Sequence, residues 1–342
     1  MRDWVSTLPR TLLACVSLIA FPAAAQAGGL HLQPGIFADP QFDPKVSVSA
    51  SVSSVNGAAH EYVYSHGGNY KLSELDWQIN NLVMLNAEVD VRMTNWFGFK
   101  IGGGTKLSGS SELDDYDWIY YGASTWDHWS NSPDTSIGSA NRFDLSGNLS
   151  LFRHPMFTVD ALAGLRWNEY EFTAKGGHYI YSSDATHFRD STGDFASGLA
   201  GISYKQNLLT PYLGLGLSAN LGRFKIDASA TGSAWVIANT YDEHFLRKDI
   251  SKTGGLFHDS MHNGMYYDFK FGGAYQYSEA VSFNANWERE TYQLVKGQDT
   301  VSAIGTGVNG TGGGGNFTSG GPAAGMENST DRLTVGMTYN LN

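Results

Sequence analysis

Two short stretches of the sequence each carry two ionisable side chains that lie two residues apart. "LDDYDW" at 113–118 contains Asp115 and Asp117, and "YDEHF" at 241–245 contains Asp242 and His244. A carboxylate that orients an imidazole makes it a general base for water, and a facing carboxylate pair would help to hold that water. Such chemistry needs neither a metal nor a covalent nucleophile. From spacing alone, a solvated acidic loop is the commonest case, and half of a metal site is a further alternative.

The elements that position these pairs are predicted by a two-residue period. Apolar residues alternate with polar ones in "FKIDASATGSAWV" at 224–236, in "YYDFKFGGAYQY" at 266–277 and in several similar stretches. Alternation over ten or so residues predicts long β-strands, on which residues i and i+2 face the same side. Each ionisable pair would therefore share one face. Because "YDEHF" directly follows a predicted strand, we expect Asp242 and His244 at the outer end of that strand.

Long half-polar strands fit two all-β architectures, a soluble sandwich and a membrane barrel whose apolar face meets lipid. The strand length, charges on the polar face such as Lys225 and Asp268, and the lack of an apolar helical span after the N-terminal leader favour the barrel. We therefore predict one domain, a transmembrane antiparallel β-barrel of about eight to twelve strands with large outer loops. Two such loops are predicted, one after the Asp–His pair with His258 and His262, and one at the glycine-rich residues 305–325. In this barrel the two ionisable pairs would face each other across the mouth.

The first 27 residues have the pattern of a secretory signal peptide, with Arg2 and Arg10 beside an apolar run that ends in small residues. The barrel domain would then occupy residues 28–342. Cys15 is the single cysteine and lies in this signal, so disulfides, zinc-thiolate sites and a cysteine nucleophile are excluded from the mature chain. Removing Arg2, Arg10 and Asp3 changes the net charge from −11 to −12. Such acidity disfavours nucleic-acid binding and suits a cationic substrate.

Several longer motifs resemble the omptin family of outer-membrane proteases. They are "LDDYDW", "YDEHF", "EFTAKGGHYIYSSDATHFRD", "YKQNLLTPYLGL", "SELDWQINN" and "SPDT", and they follow the family's order across nearly the whole mature chain. The resemblance implies a ten-stranded barrel with long extracellular extensions in the Gram-negative outer membrane. It also implies an aspartyl endopeptidase that cleaves polypeptides next to basic residues, in a groove on the extracellular side. Carried over by motif, the catalytic residues are Asp115, Asp117, Asp242 and His244, with Asp114 out of register.

The resemblance also assigns substrate-binding positions, and two of them depart from the family pattern. Glu61, in "EYVY", matches the family's glutamate for basic side chains, whereas Thr240 stands where its acidic partner is expected. The loss of one carboxylate would weaken the grip on arginine or lysine. In "SNSPDT", Ser130 is retained as a groove-lining hydroxyl rather than a nucleophile. Ser132 stands where the family has an accessory histidine.

Omptins need lipopolysaccharide, which the family binds on the outer wall of the barrel partly through arginines. This chain has Glu169 and Asn207 at two of these positions, so the resemblance implies a weakened lipopolysaccharide site. Arg166 lies nearby in sequence, but a shift of one residue on a strand turns a side chain to the opposite face, so no lipid role is assigned to it. The expected partners are polypeptide substrates with basic residues, the membrane and lipopolysaccharide. No metal, other cofactor or nucleic acid is expected.

Three functions are compatible with such a barrel. The four retained catalytic positions favour an active protease. A catalytically quiet barrel that acts as an adhesin or receptor through its long loops is the main alternative. A passive pore is the third, and a narrow lumen filled with charged and aromatic side chains disfavours it.

Overall fold

The computed structural model describes residues 44–65, 70–122, 124–247, 252–304, 317–318 and 323–341. The predicted signal peptide and most of the predicted glycine-rich loop lie outside these residues. Within them, every regular element is a β-strand, and none of them forms an apolar helix of membrane-spanning length.

Ten long strands and one very short strand follow each other along the chain. They are β1 (Lys45–Tyr64), β2 (Lys71–Arg92), β3 (Phe97–Asp117), β4 (His128–Arg153), β5 (Phe157–Tyr181), β6 (Ser191–Leu221), β7 (Phe224–His244), β8 (Gly255–Gln276), β9 (Val281–Ala303), β10 (Phe317–Thr318) and β11 (Ala324–Asn340).

The ten long strands form a closed antiparallel ring. Each strand from β1 to β9 pairs with its neighbour in sequence, and β11 lies between β9 and β1 and closes the circle. The two residues of β10 pair with the outer part of β9. A closed ring leaves no strand edge without hydrogen-bond partners, which is the condition for spanning lipid with strands. The prediction of a ten-stranded antiparallel barrel is therefore confirmed.

The two ends of the barrel differ. At one end the strands join through short turns, the tightest of which contains Gly222 at φ +69° between β6 and β7. At the other end the strands extend further, and this end carries both ionisable pairs.

The prediction of an outer loop around His258 and His262 was wrong, because β8 begins at Gly255 and both histidines lie on it. Pairing with both β7 and β9 supplies the backbone hydrogen bonds that keep this segment in the sheet.

A belt of large apolar side chains surrounds the half of the barrel next to the short turns. These side chains are exposed and alternate with lumenal residues along each strand, as in Leu145, Leu149, Leu213, Leu215, Leu217, Phe269, Phe271, Phe283, Leu333, Val335 and Met337. Exposed apolar surface on this scale is stable against lipid rather than against water. Val52 lies in this belt, and Glu61 lies nine residues further along β1. For a strand tilted by ~40°, Glu61 is therefore roughly 20 Å from Val52 along the barrel axis.

The interior above the belt is packed like the core of a soluble protein. Trp77 is fully buried, and its ring stacks on Tyr204 at 5.6 Å and contacts Phe172 at 5.5 Å. A second cluster includes Tyr266 and Tyr292, whose ring centroids are 4.8 Å apart. A ring of this few strands is narrow enough for side chains to fill it.

Buried charges fill the interior below these aromatic clusters. Arg166 donates to Asp144 at 2.8 Å and to Glu290 at 2.8 Å, and Arg142 forms an ion pair with Glu288. Each of these carboxylates therefore has an arginine partner within the lumen. Because the described lumen is occupied by paired side chains at this level, the structure disfavours a passive pore.

Candidate active site

The two ionisable pairs lie at the outer ends of strands on opposite sides of the ring. Asp115 and Asp117 are at the end of β3, and Asp242 and His244 are the last residues of β7. All four side chains line one cavity of about 550 Å³ that opens at the long-strand end of the barrel. The structure therefore brings together the four residues that the sequence analysis selected.

Asp242 and His244 are in direct contact. His244 Nε2 lies 2.5 Å from Asp242 Oδ2, and the edge of Phe257 packs against the imidazole at a centroid distance of 5.3 Å. Asp242 is only 3% exposed. Burial on its own would lower the pKa of His244, but the charge of Asp242 and its hydrogen bond outweigh burial and raise this pKa above the ordinary value. The arrangement therefore fixes the imidazole and stabilises its protonated form.

The facing carboxyl groups of Asp115 and Asp117 influence each other. Burial raises the pKa of Asp115, and the nearby charges of Asp117 and Asp242 raise it further. Burial also raises the pKa of Asp117, although hydrogen bonding to Ser73 and the proximity of two histidines oppose this. Coupled carboxyl groups of this kind retain a proton at higher pH than isolated ones do. The pair can therefore offer one acceptor and one donor at the same time.

The loop before β4 is held at the cavity rim by another aspartate. Asp127 is fully buried and accepts hydrogen bonds from the backbone N–H groups of Ile119, Tyr120 and Tyr121. It also contacts His128 Nδ1 at 2.7 Å, and His128 lies directly opposite Asp117 in the β3–β4 register. Asp127 therefore fixes the position of a second imidazole next to the carboxyl pair.

The predicted substrate-binding residues occupy different environments. Glu61 is 2% exposed and lines the cavity, and its Oε2 atom has no hydrogen-bond partner. Ser130 also lines the cavity and lies opposite Asp115 on the neighbouring strand. Thr240 is fully buried, and its hydroxyl donates to Asp259 Oδ2 at 2.8 Å instead of lining the cavity. Ser132 donates to the carbonyl of Gly176 at 2.9 Å, so its hydroxyl has a structural partner.

Two acidic residues of the cavity were missed by sequence reasoning. Asp259 and Asp299 line it from β8 and β9. They belong to no motif quoted above, and Asp259 falls in the segment that was predicted as a loop. By contrast, Asp114 points to the outside of the barrel as its register predicts, where it accepts hydrogen bonds from Trp129 Nε1 at 3.1 Å and from Asn131 Nδ2 at 3.2 Å.

On the outer wall, the predicted lipid-binding positions carry an ion pair. Glu169 Oε2 lies 2.7 Å from Lys205 Nζ, and Glu169 Oε1 accepts a hydrogen bond from Asn141 at 3.0 Å. Asn207 is directly opposite Glu169 on β6. Arg166 faces the lumen and is held there by its carboxylate partners, so it lies on the wrong face for lipid. The lysine of this patch is therefore already neutralised within the protein.

Comparison with known proteins identifies the family of this chain. A model described as "Omptin family" matches residues 43–341. The chain is 29% identical over 335 residues to the plasminogen activator of Yersinia pestis, a match that covers 98% of each protein. It is 31% identical over 252 residues to the outer membrane protease OmpP of Escherichia coli strain K12, a match that covers 72% of this chain and 78% of OmpP. The crystal structure of the outer membrane protease OmpT from Escherichia coli matches with a TM-score of 0.79 and 26% identity over 92% of this chain and 100% of the OmpT chain.

These matches confirm the predicted family, the all-β barrel and the outer-membrane location. The chain belongs to the Omptin family of outer-membrane proteases.

Proposed function

We propose that this protein is an endopeptidase that hydrolyses polypeptides next to basic residues, with a water molecule activated by His244. The observation that carries the proposal is the 2.5 Å contact between His244 and Asp242 in a cavity that Asp115 and Asp117 also line. An oriented imidazole that faces a carboxyl pair is the arrangement that general acid–base hydrolysis requires.

In the proposed reaction, neutral His244 takes a proton from water while the water oxygen attacks the peptide carbonyl carbon. Asp242 stabilises the imidazolium that forms, as an oriented carboxylate does for a general base. The ionised member of the Asp115–Asp117 pair holds the water, and the protonated member donates a hydrogen bond to the carbonyl oxygen as charge develops there. His244 then returns the proton to the leaving amine nitrogen as the C–N bond breaks. The water supplies the atoms that both products gain.

The preference for basic residues rests on the charge of the cavity. Four acidic residues line the cavity around the proposed reaction centre: Glu61, Asp115, Asp117 and Asp242. Burial raises the pKa of Glu61, and the charges of Asp242 and Asp259 raise it further. A guanidinium or ammonium group is the natural partner for such a set, because each charge-assisted hydrogen bond relieves an unpaired buried acceptor.

We further propose that the site faces the extracellular side and that lipopolysaccharide binds the outer wall weakly. The long-strand end is the end that extends beyond the apolar belt, as extracellular loops do in outer-membrane barrels. The ion pair between Lys205 and Glu169 removes the net positive charge that lipid phosphates would need.

The test is cleavage of an arginine-containing peptide library by purified protein, with and without lipopolysaccharide. We expect His244→Ala to abolish cleavage while the barrel still folds, as checked by its heat-dependent migration on gels. Glu279→Gln, in the short turn between β8 and β9, is the control at the opposite end of the barrel. Equal turnover by His244→Ala and the wild type would refute the mechanism. A folded wild-type protein that leaves all peptides intact would favour the adhesin or receptor alternative.

A further inference from the structure

Positions 240, 259 and 299 lie side by side on the lumenal face of three adjacent strands. Thr240 on β7 is directly opposite Asp259 on β8, and Asp259 is directly opposite Asp299 on β9. Side chains that are directly opposite on neighbouring antiparallel strands have Cβ atoms roughly 5 Å apart. The two carboxyl groups therefore lie next to each other at the level where the family pattern expects an acid at position 240.

Among the described residues, the acidic groups in this part of the cavity outnumber the basic groups that could pair with them. Asp259 is 4% exposed and accepts the hydroxyl proton of Thr240 at 2.8 Å. Across the same cavity, the Oε2 atom of the 2% exposed Glu61 is buried without a hydrogen-bond partner. Among the described residues, neither Glu61 nor Asp259 has a lysine or arginine within ion-pair distance. Burial and the neighbouring carboxyl group of Asp242 raise the pKa of Glu61, so a bound cation would relieve a crowded set of buried acceptors.

This arrangement costs stability in the free protein. Like charges placed directly opposite on two strands repel each other. Burial raises the pKa of Asp259, and the charges of Asp299 and Asp242 add to this effect. Burial and the charge of Asp242 also raise the pKa of Asp299 to about 6. By contrast, the buried carboxylates deeper in the lumen have arginine partners of their own.

We propose that Asp259 and Asp299, together with Glu61, form the acidic floor that binds the basic side chain of the substrate next to the cleaved bond. In this chain they take over the role of the acidic residue that Thr240 has replaced. The inference rests on the proposed endopeptidase function and names the residues that determine its specificity. Thr240 is a positioning residue in this scheme, because its hydroxyl fixes one oxygen of the Asp259 carboxyl group, which also interacts with the carboxyl group of Asp299.

The position of the acidic floor also predicts which basic side chain of the substrate the site prefers. Thr240, which is opposite Asp259, lies two residues before Asp242 on the same face of β7, so the floor lies next to the proposed catalytic dyad. Three carboxyl groups on three strands, β1, β8 and β9, surround the bound group from different directions. A guanidinium presents five N–H donors in a planar fork, whereas an ammonium is a compact point charge, so arginine is favoured over lysine.

The test compares two peptides that differ only by arginine or its neutral isostere citrulline beside the cleaved bond. We expect Asp259→Asn to lower the arginine-to-citrulline ratio of kcat/KM at least tenfold, which corresponds to about 1.4 kcal/mol of lost discrimination. Asp299→Asn should lower the same ratio. Heat-dependent migration on gels shows that each variant is folded, and the ratio of the two peptides cancels any effect that a variant has on both. Glu279→Gln, with the same change of charge, should leave the ratio at the wild-type value.

Rescue distinguishes charge recognition from a structural role. The double variant Thr240→Asp with Asp259→Asn moves the carboxylate by one strand, and we expect it to recover most of the lost discrimination. Ratios that stay at the wild-type value in both single variants, while Glu61→Gln lowers the ratio, would overturn the proposal and leave Glu61 as the sole determinant. If the wild type cuts neither peptide, the proposed protease function itself fails, which is a different result from wild-type cleavage without discrimination.

Discussion

Substitution of Asp242 by asparagine tests the catalytic mechanism with little change in shape. The change removes the negative charge at 2.5 Å from His244 Nε2 and keeps an amide of the same size. One hydrogen bond between a charged pair is worth roughly 1.5–3 kcal/mol, which corresponds to a factor of about 10 to 150 in rate. Loss of the correct imidazole tautomer adds to this, since general-base catalysis contributes about 10²–10⁴-fold in total. We therefore expect kcat to fall by at least about 100-fold.

The same substitution should move the pH profile in a defined direction. In the wild type, the charge and hydrogen bond of Asp242 raise the pKa of His244 against the opposing effects of burial and of Arg247. Only neutral His244 can accept a proton from water, so under the proposed mechanism we expect wild-type kcat/KM to rise as the pH increases through this raised pKa. Asp242→Asn removes the charge that raises the pKa of His244, so the low-pH limb of the kcat/KM profile should shift to lower pH.

The assay is kcat/KM for an arginine-containing peptide between pH 4 and pH 9 in detergent with lipopolysaccharide supplied. Glu243→Gln is the matched control, because Glu243 lies between the two catalytic positions on the opposite face of β7. We expect this control to retain the wild-type rate and profile. An Asp242→Asn variant with a rate within threefold of the wild type and an unmoved low-pH limb would refute the role given to the dyad.

Three further predictions concern residues around this centre. Ser130→Ala should retain kcat within about threefold under the proposed mechanism, in which water rather than Ser130 is the nucleophile, and a 10²-fold loss would indicate serine chemistry. Asp299→Asn should raise the free energy of unfolding by about 3 kcal/mol at pH 8. Its carboxyl has a pKa of about 6 in the folded protein, so its ionisation destabilises the fold as the pH rises through 6, and the gain should vanish near pH 4 in urea titrations. Glu169→Gln should strengthen lipopolysaccharide binding in low salt, because it removes the nearer of the two carboxylate partners of Lys205 and leaves Glu171 at 3.6 Å. An unchanged affinity would argue against the outer-wall interpretation.

Much of this architecture could be predicted from local sequence, because alternation is a property of each strand on its own. The runs around Phe224 and Tyr266 predicted long strands whose apolar faces meet lipid, and β7 and β8 contain them. The i and i+2 spacing also placed Asp242 and His244 on one face. Asp115 faces these two residues across the ring only because the barrel closes. Residue spacing does not predict closure, so this part of the site was predicted from the family motifs.

The acidic floor could not be predicted from the sequence, since it depends on register between strands. Asp259 and Asp299 are forty residues apart and become neighbours only because β8 and β9 pair in one particular alignment. The segment around Asp259 has the polar and small residues of a loop, and its strand state is imposed by the partners on both sides. For the same reason, the sequence showed Thr240 only as the loss of an acidic residue. Its hydrogen bond to Asp259 joins two neighbouring strands and depends on their register.

The paired arginines and carboxylates beneath the aromatic clusters give the molecule a blind-ended shape. Arg142 and Arg166 span the interior to reach Glu288 and Glu290 on the far wall. Under the proposed function, a polypeptide would enter and both fragments would leave through the same mouth, so release of the fragments would compete with arrival of the next chain. In the part of the chain that the structure describes, these pairs occupy the lumen below the cavity, so the proposed protease site would not also open a path for small solutes through the outer membrane.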